Sequence, residues 1–447
     1  MNARRSMRRR LSAGLGLVAI ASVVLVGCAE GGDETTDDGA VEGETVKISG
    51  GITGSEADLL QQTFDSFTDD TGIIVEYTGD KSFEGNIVTK VAGGDAPDIA
   101  IVPQPGLLKA LVDTGEVKPA PAAVEDNVDA NWSPDWKVYG TFDDVFYAAP
   151  LMANVKGYVW YSPASFEAWG VEVPTTWEEL LTLTETIREK TGQPPWCAGF
   201  ESGDASGWPG TDWIEGLVLR QSGPEVYDQW VANEVKFTDP EIENAFDAAG
   251  EILRNPDFVN AAFGDVASIN STAFGNVAAP LANGTCALTH QADFLSAYFL
   301  DVKNAAGATP TVAPDGDVYA FVLPGFEAGG ESSAIEVGGE FVAAFSDDAA
   351  TQQVLEFLST PEWADARVSL GGKTSANMNA DPNLASSQFL VDAMKLVQDP
   401  NTIKRYDAAD IMPTAVGQGS FWRGMVDWID GSPTTEVLSD IQAGYEN

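Results

Sequence analysis

Between residues 46 and 102 short apolar runs alternate with amphipathic helical periods, and no other feature of the chain restricts its fold as much. Residues 46–49 predict a strand, and Leu60, Phe64 and Phe67 then recur at helical spacing along a helix from Glu56 to about Asp70. Ser55 and Asp58 supply its cap and acidic first turn, and Gly72 ends it. A second strand (73–77), a second helix (Phe83 to about Val91) and a third strand (98–102) follow. Strands separated by helices must cross over between pairings, so the sheet is mostly parallel and covered on both faces. Ligands of such sheets sit beyond the carboxyl ends of the strands. Residues 53–56 and 103–106 are therefore candidate rims of a site, with Ser55 and Gln104 as polar contacts. Asp98 is better suited to supporting a turn.

The ends of the chain bear on where such a fold would work. Arg4, Arg5, Arg8, Arg9 and Arg10 precede an apolar run from Leu15 to Val26 that is too short to span a bilayer, which predicts an export signal over residues 1–27. It ends in Leu25-Val26-Gly27-Cys28, which resembles a bacterial lipobox and implies lipidation of Cys28 and an anchor on the outer face of the cell membrane. Residues 28–45 are Gly, Thr and acid, too polar to bury anything, and read as a flexible tether. About 400 residues remain, enough for two domains with their own cores. The chain carries 68 acidic against 24 basic residues. Five of those basic residues lie in the signal, so the exported part is more acidic still than the formal −44. Such a charge repels nucleic acid and disfavours anionic substrates.

With Cys28 lipidated, Cys197 and Cys286 are left in an exported chain, where a disulfide is the usual outcome and a pair of free buried thiols the alternative. His290 is the only histidine, which removes histidine-based metal centres and Ser-His-Asp chemistry unless that residue serves. No cofactor or metal is expected.

The most distinctive stretch is residues 195–215, where Trp196, Trp208 and Trp213 alternate with Glu201, Asp204 and Asp212 on a backbone punctuated by Gly199, Gly203, Gly207, Pro209 and Gly210 that predicts loop rather than helix. A neutral sugar has a C–H face that packs on an indole and a rim of hydroxyls that donates to carboxylates, so the two residue types suit it together. Each tryptophan on its own reads equally well as partly buried core. Helices are predicted over 224–230 and from Asp239 to about Leu253, the latter opened by Pro240, and no internal repeat appears.

Gly94-Asp95-Ala96-Pro97-Asp98-Ile99, then Pro150 with Val159-Trp160-Tyr161-Ser162-Pro163, then Val173-Pro174-Thr175-Thr176-Trp177-Glu178-Glu179-Leu180 together resemble the extracellular solute-binding proteins of sugar ABC importers. Thr176 and Glu179 also read independently as a capping box opening a helix to about Lys190. Where that family often has Tyr-Asn, this chain has Tyr161-Ser162. Pro195-Trp196-Cys197, Glu201-Ser202-Gly203 and residues 207–213 are similar to the narrower alpha-glucoside-binding group, in which a second cysteine follows in a glycine-containing loop, as Cys286 does here.

The resemblance implies an α/β, two-lobed periplasmic-binding-protein-like fold of type II, with several hinge crossings and the ligand cleft between the lobes. Lobe 1 would comprise residues 46–149 and 334–385, and lobe 2 residues 150–333 and 386–447. It implies ligand contacts from Trp208, Trp422 and Phe294 as aromatic platforms and from Glu201, Asp212, Trp213, Gln104, Asn154, Asp293, Arg423 and Ser55, with Gln291 beside them. His290, on an apolar strand, reads as structural. The implied partners are a neutral di- or oligosaccharide such as trehalose, maltose or sucrose, and ABC permease subunits with their ATPase. The protein would work as a monomer that binds without chemistry. Two other classes fit the composition: a secreted glycosidase, which needs two carboxyl groups flanking the bond at a set separation, and a binding protein for a peptide or a cation, which the negative charge would favour.

Overall fold

The computed structural model describes residues 41–260, 262–327 and 334–446. The expected signal, Cys28 and most of the tether lie outside the described residues. No described helix is long and apolar enough to cross a membrane.

The opening alternation folds as expected. Strands β1 (Thr45–Gly50), β2 (Ile74–Gly79) and β3 (Ile99–Val102) pair in parallel with β1 in the middle. A short hairpin, β4 (Thr141–Phe142) and β5 (Val145–Phe146), leads to β6 (Ala148–Val155). Next come β7 (Tyr158–Tyr161), β8 (Leu288–Gln291), β9 (Tyr319–Val322), β10 (Ile335–Ala344) and β11 (Lys404–Tyr406). The larger sheet runs β11-β10-β3-β1-β2 with β6 on β10, and β8-β7-β9 form a smaller antiparallel sheet. Because β10 pairs with β6 as far as Val155, the chain leaves the larger sheet at Lys156 rather than at 150. It rejoins that sheet at β10 and, past the crossing to lobe 2 expected near 385, still adds β11 to it.

Residues of β7 alternate between two cores. Tyr158 and Trp160 join the core around the larger sheet, while Val159 and Tyr161 join one built on helices Trp208–Val231, Pro240–Leu253 and Trp422–Ile429. The capping box forms: the Thr176 hydroxyl accepts from the Glu179 N–H, and the Glu179 carboxylate takes the Thr175 N–H at 2.7 Å. Cys197 and Cys286 are joined, with Cα atoms 6.0 Å apart, which ties the segment after Pro195 to the entry of β8.

Two local expectations are corrected. The helix over 56–70 is two helices, Ser55–Gln62 and Asp65–Thr71; at the break the Thr63 hydroxyl bonds back to the Leu60 carbonyl and accepts the Trp363 indole N–H. The stretch expected to be loop turns helical at Trp208, while residues 224–230 form a helix as expected, set off from the first by the non-helical backbone of Gly223 (φ 83°, ψ 172°). Pro209 sits in the first turn, where its missing N–H costs nothing. Gly207, at φ 109°, lets the chain pass so close to the Trp422 carbonyl that a Cβ there would stand 2.1 Å from the oxygen.

Candidate functional site

A cavity of about 500 Å³ opens where the strand ends, the start of the Trp208 helix and the segments around Phe274, Phe294 and Trp422 meet. Residues 51–56 beyond β1, and Pro103 and Gln104 beyond β3, form its rim, which is where a parallel sheet presents a ligand. Ser55, Gln104 and Asn154 reach it from the side of the larger sheet. Glu201, Trp208, Phe294 and Trp422 reach it from the opposite side.

The other four expected residues are placed elsewhere. Trp213, one helical step past Asp212, is 2 % exposed and packs on Trp196 at 5.4 Å and on the His290 ring at 4.4 Å. Asp212 is buried against Lys156, with Nζ–Oδ1 2.9 Å. Asp293 is buried too; its carboxylate accepts the Thr374 hydroxyl at 2.8 Å while its N–H donates to the Val155 carbonyl. Arg423 lines a separate surface hollow with Asp427, Glu436 and Asp440, because adjacent helical residues diverge by about 100° and Trp422 takes the inward direction. Gln291 is buried and caps the Ala292 N–H with its own side chain.

Sequence reading missed much of the wall. Phe274 lies 5.0 Å from Trp208, 6.2 Å from Phe294 and 5.4 Å from Tyr298, ring to ring, so four aromatics form one continuous surface. Gly275 permits it, since a Cβ there would fall 2.2 Å from the Tyr298 ring. Two lysines were missed as well. Lys156 bridges Asp212 and Asp407 with its ammonium 5.3 Å from the Trp208 ring centre. Lys373 bridges Glu56 and Glu340 at 2.9 Å each, reaches Asn154 at 3.2 Å and lies 5.3 Å from the Phe294 ring centre. Burial opposes both charges, yet the paired carboxylates outweigh it and hold both ammoniums above the ordinary lysine range. Fixed carboxylates and ammoniums beside an aromatic face can hydrogen-bond a polyhydroxylated molecule from several directions.

Two buried groups beside the site titrate in opposite senses. Burial pushes the Asp293 carboxyl up to about 7, against the lowering effect of its hydrogen bonds and of Lys373. Burial, with the charges of Lys156 and Arg220, pushes the His290 imidazole down to about 3. A raised carboxyl contributes stability that is present below its unfolded value near 4 and lost as pH rises toward 7; a lowered imidazole contributes stability that is present above about 6.5 and lost as pH falls toward 3. The two slopes oppose each other between about pH 4 and 6.5. Asp293→Asn should therefore gain on the parent protein by up to about 4 kcal/mol from pH 4 to 7, and His290→Gln should gain by a similar amount from pH 7 down to 4. Urea unfolding at three pH values checks this; stability differences that stay constant with pH would refute it.

The sequence pattern of the family described as bacterial extracellular solute-binding protein matches residues 53–365. The osmoprotective compounds-binding protein GgtB of Synechocystis sp. is 35 % identical over 433 residues, covering 95 % of this chain and 97 % of that one. The alpha-glucosides-binding periplasmic protein AglE of Rhizobium meliloti is 34 % identical over 424 residues, covering 91 % and 88 %. The solved structure of the bacterial solute receptor AcbH, described as preferring β-D-galactopyranose, superposes with a TM-score of 0.73 at 18 % identity over 90 % of this chain and 99 % of that one. The fold is thus the two-lobed type II binding-protein fold, and the chain belongs to the bacterial extracellular solute-binding proteins.

Proposed function

We propose that this protein is the receptor of an ABC importer for a neutral alpha-glucoside of di- or oligosaccharide size. The observation that carries the reading is the pairing, inside one cavity, of the Trp208–Phe274–Phe294 surface with rigidly held polar groups at Asn154, Glu56 and Lys373. Sugar C–H faces stack on the rings and hydroxyls meet the polar side. The indole N–H of Trp422, a cavity-lining residue, is buried and has no partner among the described residues. The names of the two relatives, an alpha-glucoside binder and an osmoprotectant binder, support small neutral solutes of this class. Hinge closure traps the sugar, and the closed form docks on a permease whose ATPase drives release. Lipid on Cys28 would keep the monomer at the outer face of the cell membrane.

A thermal-shift panel of trehalose, maltose, sucrose and monosaccharides tests the reading, with the sugar recovered intact afterwards. Burying a sugar face on an indole contributes roughly 1 to 3 kcal/mol, so Trp208→Ala and Trp422→Ala should each weaken binding about ten- to hundredfold. Affinity that holds in both variants while melting temperature collapses would make the two tryptophans core and sink the site.

A further inference from the structure

We propose that Asp212, Glu336 and Asp407 together hold a hard divalent cation of calcium size where the chain crosses between the two sheets. One carboxylate oxygen from each lies within 4.8 Å of the others. That spacing leaves a common point within about 2.8 Å of all three, so small side-chain shifts bring them to a Ca–O distance of about 2.4 Å. An all-oxygen, all-anionic donor set suits calcium or magnesium and no softer metal.

Hydrogen bonding points to a missing cation independently of this spacing. Glu336 is 2 % exposed and neither of its carboxylate oxygens has a hydrogen-bond partner among the described residues. It faces the helix turn that carries Asp212, since a Cβ at Gly216 would stand 3.6 Å from Glu336 Oε2. Lys156 engages Asp212 Oδ1 and Asp407 Oδ2, so a single ammonium faces three carboxylates. The neighbouring Glu215 is already used by the N–H groups of Ala408 and Ala409 and by the Tyr227 hydroxyl. When all three are ionised they exceed the Lys156 charge by two, and a buried charge persists only when paired or bound to metal.

The location gives the ion a role. Lys156 follows β6, Glu336 opens β10, Asp407 follows β11 and Asp212 lies on the helix beginning at Trp208. One cation would pin three crossing segments to that helix, at the edge of the cavity that Lys156 and Asp407 also line.

Chelator-treated protein, titrated with calcium in moderate salt to screen surface charge, should show saturable calorimetric binding and a rise in melting temperature. Terbium as a calcium-sized probe should emit on tryptophan excitation, since Trp208 adjoins Lys156. Glu336→Gln should lose affinity about tenfold or more, with its folded state verified by near-UV circular dichroism, and Asp212→Asn should lose it similarly. Absence of saturable uptake of calcium or magnesium by the parent protein overturns the proposal and leaves Glu336 holding a proton. Uptake of equal strength in Glu336→Gln overturns it too, by assigning the ions to surface carboxylates.

Discussion

Lys156→Met is expected to destabilise the protein by about 3 to 5 kcal/mol, the usual consequence of removing one partner from a buried ion pair. The lysine side chain is 8 % exposed, and its partners Asp212 and Asp407 are 2 % and 3 % exposed, so water cannot take over when the ammonium goes. Methionine keeps most of the stem's packing, which isolates the loss of charge. The triple variant that also carries Asp212→Asn and Asp407→Asn should recover most of the loss, because the cost is that of uncompensated carboxylates rather than of a missing attraction. Urea unfolding with chelator present measures both. A single variant within about 1 kcal/mol of the parent would show that the carboxylates find other compensation.

The second large effect concerns the disulfide. Cys197 and Cys286 are 89 residues apart, and in the chain-entropy model such a closure restricts the unfolded chain enough to contribute roughly 4 to 5 kcal/mol. The double Cys→Ala variant should lose about that much, with a sugar affinity that falls as well. The bond holds the segment leading to Glu201 and Trp208 against β8, and β8 leads directly to Phe294. Because their sulfurs are joined, thiol labelling without reductant should find neither reactive even in urea. Quantitative labelling, or a double variant as stable as the parent, would contradict this account.

The parallel opening of the sheet was legible because period and punctuation agree there: apolar strands, an amphipathic helix and a terminating Gly72 all ask for one arrangement. Residues 208–215 were not, because tryptophans set among glycines and a proline look like loop locally, while Gly207 and Pro209 serve here as the entry to a long helix. Helical geometry also separated neighbours that seemed interchangeable in sequence: Trp208 from Trp213, and Trp422 from Arg423. Nothing local marks Lys156, Lys373, Phe274 or Tyr298. Their roles depend on partners such as Asp407, Glu56 and Trp208, brought close only by the tertiary fold.

A strand whose successive side chains enter different cores leaves neither half of the molecule complete without the other. With Tyr158 and Trp160 committed to one side and Val159 and Tyr161 to the other, pulling β7 away would open both interiors at once. The chain should therefore melt in a single calorimetric step despite its two sheets, and neither half expressed alone should fold.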